Sequence, residues 1–153
     1  MKLRLHVELA GASDAYLFAA VRKIDASTGR EALFEGPFGF GCDVSKGWLR
    51  LAHRRVDEAR SESHRPFHPS DRAEPVAPGE IVLADIELLP SATFFRRGDV
   101  LRLDVQGQWL WRRSMLRGMF PGSYAPSPPA TVVLHLGGAC DAHLLVPRTD
   151  EGA

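Results

Sequence analysis

Hydrophobic residues recur with a period of two along most of the chain. From Lys2 to Leu9, residues Leu3, Leu5, Val7 and Leu9 alternate with Lys2, Arg4, His6 and Glu8. That pattern predicts a strand with one face in a core and the other in water. Tyr16 to Ile24 (YLFAAVRKI) is a second strand, with a turn over Ser27 to Arg30. Phe34 to Val44 holds Gly36, Gly39 and Gly41 and reads as irregular, or as strand broken by bulges. Gly47 to Val56 alternates again, with Leu49, Leu51 and His53 on one side and Trp48, Arg50, Ala52 and Arg54 on the other. In Ile81 to Leu89, residues Val82, Ala84, Ile86 and Leu88 share a face. In Asp99 to Gln106, residues Leu101, Leu103 and Val105 alternate with Val100, Arg102 and Asp104. Thr131 to Leu136 and Ala142 to Val146 supply the last two strands. Short strands in this number, with turn residues between them and no long helical pattern, predict an all-β antiparallel sandwich or jelly roll.

Composition narrows the class. A chain of 153 residues suits one domain, expected to span 1–148 with a flexible tail over 149–153. At this size it buries enough surface to need no disulfide or metal. Lys plus Arg equals Asp plus Glu, so the formal net charge is zero. This argues against a nucleic-acid partner, which would be held by an excess of positive charge. Cys42 and Cys140 form no C-x-x-C pair; a bridge needs the fold to bring them together, and two buried free thiols is the simpler reading. The amino-terminal MKLRLHVELAG alternates and has no hydrophobic core of a signal peptide, and no run is long enough to span a membrane. The expected location is cytoplasmic.

Three motifs invite a chemical reading. Gly11-Ala12-Ser13-Asp14-Ala15 approaches the G-x-S-x-G nucleophile elbow, but alanine replaces the second glycine and no helix follows. Arg97-Gly98-Asp99 spells an integrin tripeptide, here serving as the turn into a strand, with Asp99 beginning the ladder. Trp109 and Trp111, close to Arg112, Arg113 and Arg117, resemble a stacking platform for a sugar or single strand. Packing against a domain edge is the simpler account of them. His6, His53, His135 and His143 fall in predicted strands, and His135 and His143 become neighbours if the last two strands pair.

The segment Ser61 to Glu80 (SESHRPFHPSDRAEPVAPGE) carries His64, His68 and Asp71 in a grouping that suggests metal ligation. Pro66 and Pro69 oppose any helix that would align the two histidines. In extended chain their Cα atoms stand about 13 Å apart, too far for one ion. The expectation is a stiff, extended crossover in which His64, His68 and Asp71 hydrogen-bond the loop or a neighbouring domain, with no cofactor or metal.

The order of motifs in the central block resembles the carboxy-terminal domain of the X-prolyl dipeptidyl peptidase and cocaine esterase family of serine hydrolases. The matching residues are Gly47-Trp48-Leu49-Arg50, His53-Arg54, Arg65-Pro66 with His68, Pro78-Gly79-Glu80, and Leu101-Arg102-Leu103-Asp104-Val105. The opening strands and His143-Leu144-Leu145-Val146-Pro147 are compatible with the family's ends. Departures occur at Pro90-Ser91-Ala92, Asp99-Val100 and Cys140-Asp141-Ala142. The resemblance implies a jelly roll like the galactose-binding domains. It also implies that the catalytic serine, aspartate and histidine belong to a separate α/β-hydrolase domain, since no position here matches them. The expected function is a non-catalytic accessory domain that packs on the catalytic domain, in cis or as a separate chain, and stabilises or shapes its active-site region. Trp48, His64, Phe67, His68, Trp109 and Trp111 are the candidate interface or ligand contacts. A homo-oligomer is left open, and a stand-alone carbohydrate-binding module is the alternative.

Overall fold

The computed structural model of the chain describes residues 1–35, 41–108 and 130–148. The alternating segments become the strands β1 (Lys2–Ala10), β2 (Tyr16–Ile24), β3 (Phe34–Glu35), β4 (Gly41–Cys42), β5 (Ser45–Arg50), β6 (Ile81–Glu87), β7 (Val100–Gln106), β8 (Thr131–His135) and β9 (His143–Leu145). The chain divides into two compact units, one of Met1–Tyr16, Leu49–Glu87 and Ser127–Ala153, the other of Leu17–Trp48 and Leu88–Pro126. Both units are antiparallel β structure. The expected tail over 149–153 lies outside the described residues.

In the first unit β1 is the central strand, with β6 on one side and both β8 and β9 on the other. Leu3, Leu5, Val7 and Leu9 are buried, as the alternation requires. Leu3, Leu5 and Val7 stand opposite Ile86, Ala84 and Val82 of β6, which are buried too. The last two strands do not pair with each other. β8 meets residues 6–10 of β1 and β9 meets residues 2–4, so the two follow one another along the same side. A short excursion separates them, closed by reciprocal hydrogen bonds between Gly137 and Cys140. Gly137 and Gly138 both take positive φ there (79° and 58°), which glycine adopts without steric cost. His135 and His143 consequently stand at consecutive same-face positions opposite His6 and Arg4.

The strand predicted over Gly47 to Val56 stops early. β5 ends at Arg50, and Leu51–His53 forms a single 3-10 turn. Asp14 explains the break. One of its carboxylate oxygens accepts the Ala52 amide at 2.9 Å while the other takes Arg50 Nε at 2.7 Å. The Leu51 amide donates to the Ala15 carbonyl at 2.9 Å. The turn rotates Leu51 and Ala52 into the core together, where continued alternation would have exposed Ala52.

In the second unit the sheet order is β5-β2-β7. β2 is central, and Leu17 to Val21 are all buried. Arg22 and Arg102 sit directly opposite each other on β2 and β7, a like-charge pair that would destabilise an isolated ladder. Carboxylates offset it: Arg22 contacts Glu31 at 2.6 Å, Asp43 at 3.0 Å and Asp104 at 2.6 Å, and Arg102 contacts Glu31 and Asp104, each at 3.1 Å.

The Arg97-Gly98-Asp99 tripeptide is a turn whose aspartate faces inward. β7 begins at Val100, one residue later than expected, because Asp99 is occupied in closing the turn. Its carboxylate accepts the amides of Arg96 (2.7 Å) and Ala26 (3.0 Å) and pairs with Lys23 at 2.9 Å. The Lys23 bond, with those amides, lowers the Asp99 pKa to about 2. Gly98 has φ +94°, and an added Cβ would stand 3.2 Å from that of Ala26. Gly98→Ala is therefore expected to cost about 1–2 kcal/mol through left-handed strain, read as a lower urea midpoint. A midpoint equal to that of the parent would show the turn to be less constrained.

Candidate functional site

The segment from Arg54 to Glu80 folds against β6 and holds His64, Phe67, His68 and Asp71. It has no regular strand, but its first half is not extended. Asp57 caps a 3-10 turn over Glu58–Arg60 by accepting the Ala59 amide at 3.1 Å. The Ser61 hydroxyl donates to the Asp57 carbonyl at 2.6 Å and accepts the Phe67 amide at 2.9 Å. The Asp57 amide donates to the Phe67 carbonyl at 2.9 Å, which closes the loop at its neck. Inside it, Glu62 and Arg65 exchange backbone hydrogen bonds, each of 3.0 Å, and their side chains pair at 2.7 Å. The prolines prevented a helix but not this fold-back, because Pro66 follows the turn and is itself buried against the neck.

His68 fastens this loop. Its Nδ1 lies 3.1 Å from the Arg55 carbonyl oxygen and its Nε2 lies 2.9 Å from that of Asp85. Both neighbours are main-chain carbonyls, so whichever ring N–H is present donates to the main chain, and the ring bridges the loop to β6. A loop laid over an edge strand in this way shields polar groups that would otherwise invite another chain. His68→Ala should cost about 1–3 kcal/mol, since the bridge between the Arg55 and Asp85 carbonyls is lost and a part-buried carbonyl is left without its donor. Amide exchange should rise within 55–68 while the β1–β6 ladder keeps its protection. Equal protection in both segments would contradict the clip.

Beneath the clip, Asp85 is 5% exposed, although it points away from the face that Val82, Ala84 and Ile86 share. Arg4 grips it with two hydrogen bonds, Nε to Oδ1 at 2.7 Å and a terminal nitrogen to Oδ2 at 2.6 Å, and Lys2 stands 3.8 Å away. Burial alone would push the Asp85 carboxyl up. The Arg4 hydrogen bonds and the charges of Arg4 and Lys2 outweigh it and hold the carboxyl below its ordinary range.

A groove of about 410 Å³ opens beside this cluster, lined by Arg54, Arg55, Glu58, Glu74, Glu80 and the β6 residues Ile81 to Leu83 and Asp85. Its cations are already engaged. Arg54 donates to the carbonyls of Leu51 and Glu74 and lies 3.7 Å from Glu80, while Arg55 pairs with Asp71 and with Glu74. The Arg55 hydrogen bond holds the Asp71 carboxylate below its usual range. Small-molecule sites are mostly apolar with a few free polar groups. In this groove the arginines are already paired, and their hydrogen bonds hold the loop together.

The candidate residues separate accordingly. His68 and Asp71 both hydrogen-bond within the loop, to different partners. His64 is exposed in the turn, 3.6 Å from Glu62. Among the described residues no three His, Cys, Asp or Glu side chains converge as metal ligands would. Phe67 is half-buried under Arg60, whose guanidinium stands 3.6 Å above the ring centre. Trp48 belongs to β5 in the other unit and is 37% exposed. Trp109 and Trp111 lie outside the described residues. Sequence reasoning missed the Arg4–Asp85 pair. The cue for it was an acid between apolar neighbours in β6 and an arginine at the matching place in β1.

The all-β chain has a counterpart among known families. Residues 1–110 match the X-Pro dipeptidyl-peptidase C-terminal non-catalytic domain. The chain belongs to that family. Two crystal structures of a CocE/NonD family hydrolase from Staphylococcus aureus are similar to it, with 29% and 30% identity and TM-scores of 0.81 and 0.82. Each match covers 92% of this chain and 26% of that hydrolase, so the chain spans about a quarter of the length of the structures it matches. Among curated proteins none matches. Family and neighbours agree with the strand pattern on an antiparallel β-sandwich. Among the described residues no helix is long and apolar enough to cross a membrane.

Proposed function

We propose that this chain is the accessory jelly-roll domain, expected over 1–148, of an X-Pro dipeptidyl peptidase or esterase-type α/β serine hydrolase. It packs on the catalytic domain and stabilises or shapes the active-site region. The family match over residues 1–110 carries the reading, because that family is defined as the non-catalytic C-terminal part of its enzymes. The chemistry of the described residues supports it. Ser61 spends its hydroxyl on the Asp57 carbonyl and the Phe67 amide, and Ser45 donates to the Leu89 carbonyl. Both serines hold loops together, and His68, the most engaged histidine, bonds main-chain carbonyls.

The direct test co-expresses this chain with an α/β-hydrolase catalytic domain of the family from its own genome. Co-elution is expected, with a change in ester or X-Pro amide turnover when the chain is withheld. Separate elution with unaltered turnover would reject the function. Titration calorimetry with simple sugars serves as the counter-test, because the accessory reading predicts no saturable heat.

A further inference from the structure

Among the exposed large hydrophobic residues, five crowd into one short stretch. Val133 (38% exposed), Leu134 (38%), Leu136 (71%), Leu145 (38%) and Val146 (39%) lie on β8, the excursion after it, β9 and the residue that follows. They are not confined to one side of the sheet. Val133 faces with Glu8 and Leu145 with Lys2, whereas Leu134 stands opposite the buried Val7. Leu136 begins the Gly137–Cys140 excursion. Among the described residues no strand pairs with the far side of β8 or β9. An edge strand that is apolar on both faces and open along its backbone is a liability unless something covers it.

The cover can be assigned from the order of parts in the family. The domain is the C-terminal one, so in a family enzyme the chain of the catalytic part enters at the start of β1. There Lys2 is paired with Leu145, which places the entry point beside the apolar edge. The matched hydrolase also has about three-quarters of its length without a counterpart here. We propose that the β8–β9 edge, centred on Leu136 and Leu145, is the surface on which the α/β-hydrolase catalytic domain docks. This inference rests on the accessory-domain reading. Leu136, the most exposed of the five, is the anchor, and the exposed Asp141, His143 and Arg148 of the same stretch supply polar groups beside it.

The test uses the complete 153-residue chain and the co-expressed catalytic domain, with binding followed by size-exclusion chromatography and titration. Leu136→Asp and Leu145→Asp are each expected to weaken binding at least about tenfold and together to abolish co-elution, as loss of interface anchors does. Alone, each variant should unfold within about 2 °C of the parent, because exposed positions contribute little to stability. Leu33→Asp, 66% exposed in the other unit, should bind like the parent. Parent binding that survives both edge substitutions, or that Leu33→Asp weakens equally, overturns the assigned surface and leaves the accessory function standing. A parent chain that does not bind at all overturns both.

Discussion

Arg4→Ala is expected to destabilise the first unit by about 3 kcal/mol at neutral pH, the lower end of the range for removing one partner of a buried ion pair. The lower end applies because Arg4 keeps 28% of its side chain in water while Asp85 keeps only 6%. The two-pronged guanidinium–carboxylate contact supplies both hydrogen bonds and charge. Lys2 at 3.8 Å compensates part of the loss. Replacing both partners together, as in Arg4→Leu with Asp85→Leu, should recover most of the stability, since no charge is then stranded.

The pH dependence tests the cause. The Asp85 carboxyl sits below its unfolded value in the folded chain, so the unfolded state binds more protons in acid. The pair's stabilisation is complete above an unfolded carboxyl pKa of about 3.9 and is lost as pH falls through the lower folded value. In Arg4→Ala, burial acts against the charge with only weaker help, so the deficit should shrink once Asp85 takes up a proton in acid. Urea unfolding between neutral pH and about pH 3 would show this. A deficit that stays constant with pH would mean that Arg4 contributes packing alone.

The same pair marks where the sequence stopped being readable. Alternation located β1 and β6 and assigned their core faces, because burial of one face is a local property of a period-two strand. Asp85 was unreadable in those terms. It is buried on the face that should meet water, because a loop some twenty residues upstream folds over it. The partners of His68 are equally remote from composition: two carbonyls, one thirteen and one seventeen residues away, neither distinguished by residue type. The histidine grouping was visible, and so was its unsuitability for a helix, but what the rings bond depended on the fold-back between Glu62 and Arg65. The pairing of β8 and β9 with β1, and not with each other, turns on the Gly137–Cys140 excursion. Where that excursion returns the chain was not legible in the strand pattern. Trp109 and Trp111, an aromatic pair beside several arginines in the sequence, lie outside the described residues.

Leu51 is the second position where a large effect is expected, and it concerns the departure from regular alternation. The side chain is fully buried at the 3-10 turn that ends β5. Around it the backbone joins three separate segments. Its amide reaches Ala15, its carbonyl accepts Arg54, and the neighbouring Ala52 carbonyl accepts the Glu74 amide at 2.6 Å. Val76, also buried, donates its amide to Ser13 at 2.8 Å in the same bundle of chain. Leu51→Ala should therefore cost about 3–5 kcal/mol, the upper part of the range for leucine truncation, because hydrogen-bonded turns cannot close readily on the cavity. Leu51→Met, which nearly conserves volume, should stay within about 1.5 kcal/mol. Ile81→Thr, at an exposed place on β6, should stay within about 0.5 kcal/mol. Hydrogen exchange adds a test that melting cannot provide. The amides of Leu51, Ala52 and Glu74 should lose protection together in Leu51→Ala, because one turn orders all three. If only the global stability fell and these amides remained as protected relative to β1 as in the parent, Leu51 would be ordinary core filling, and the turn would owe its shape to Asp14 alone.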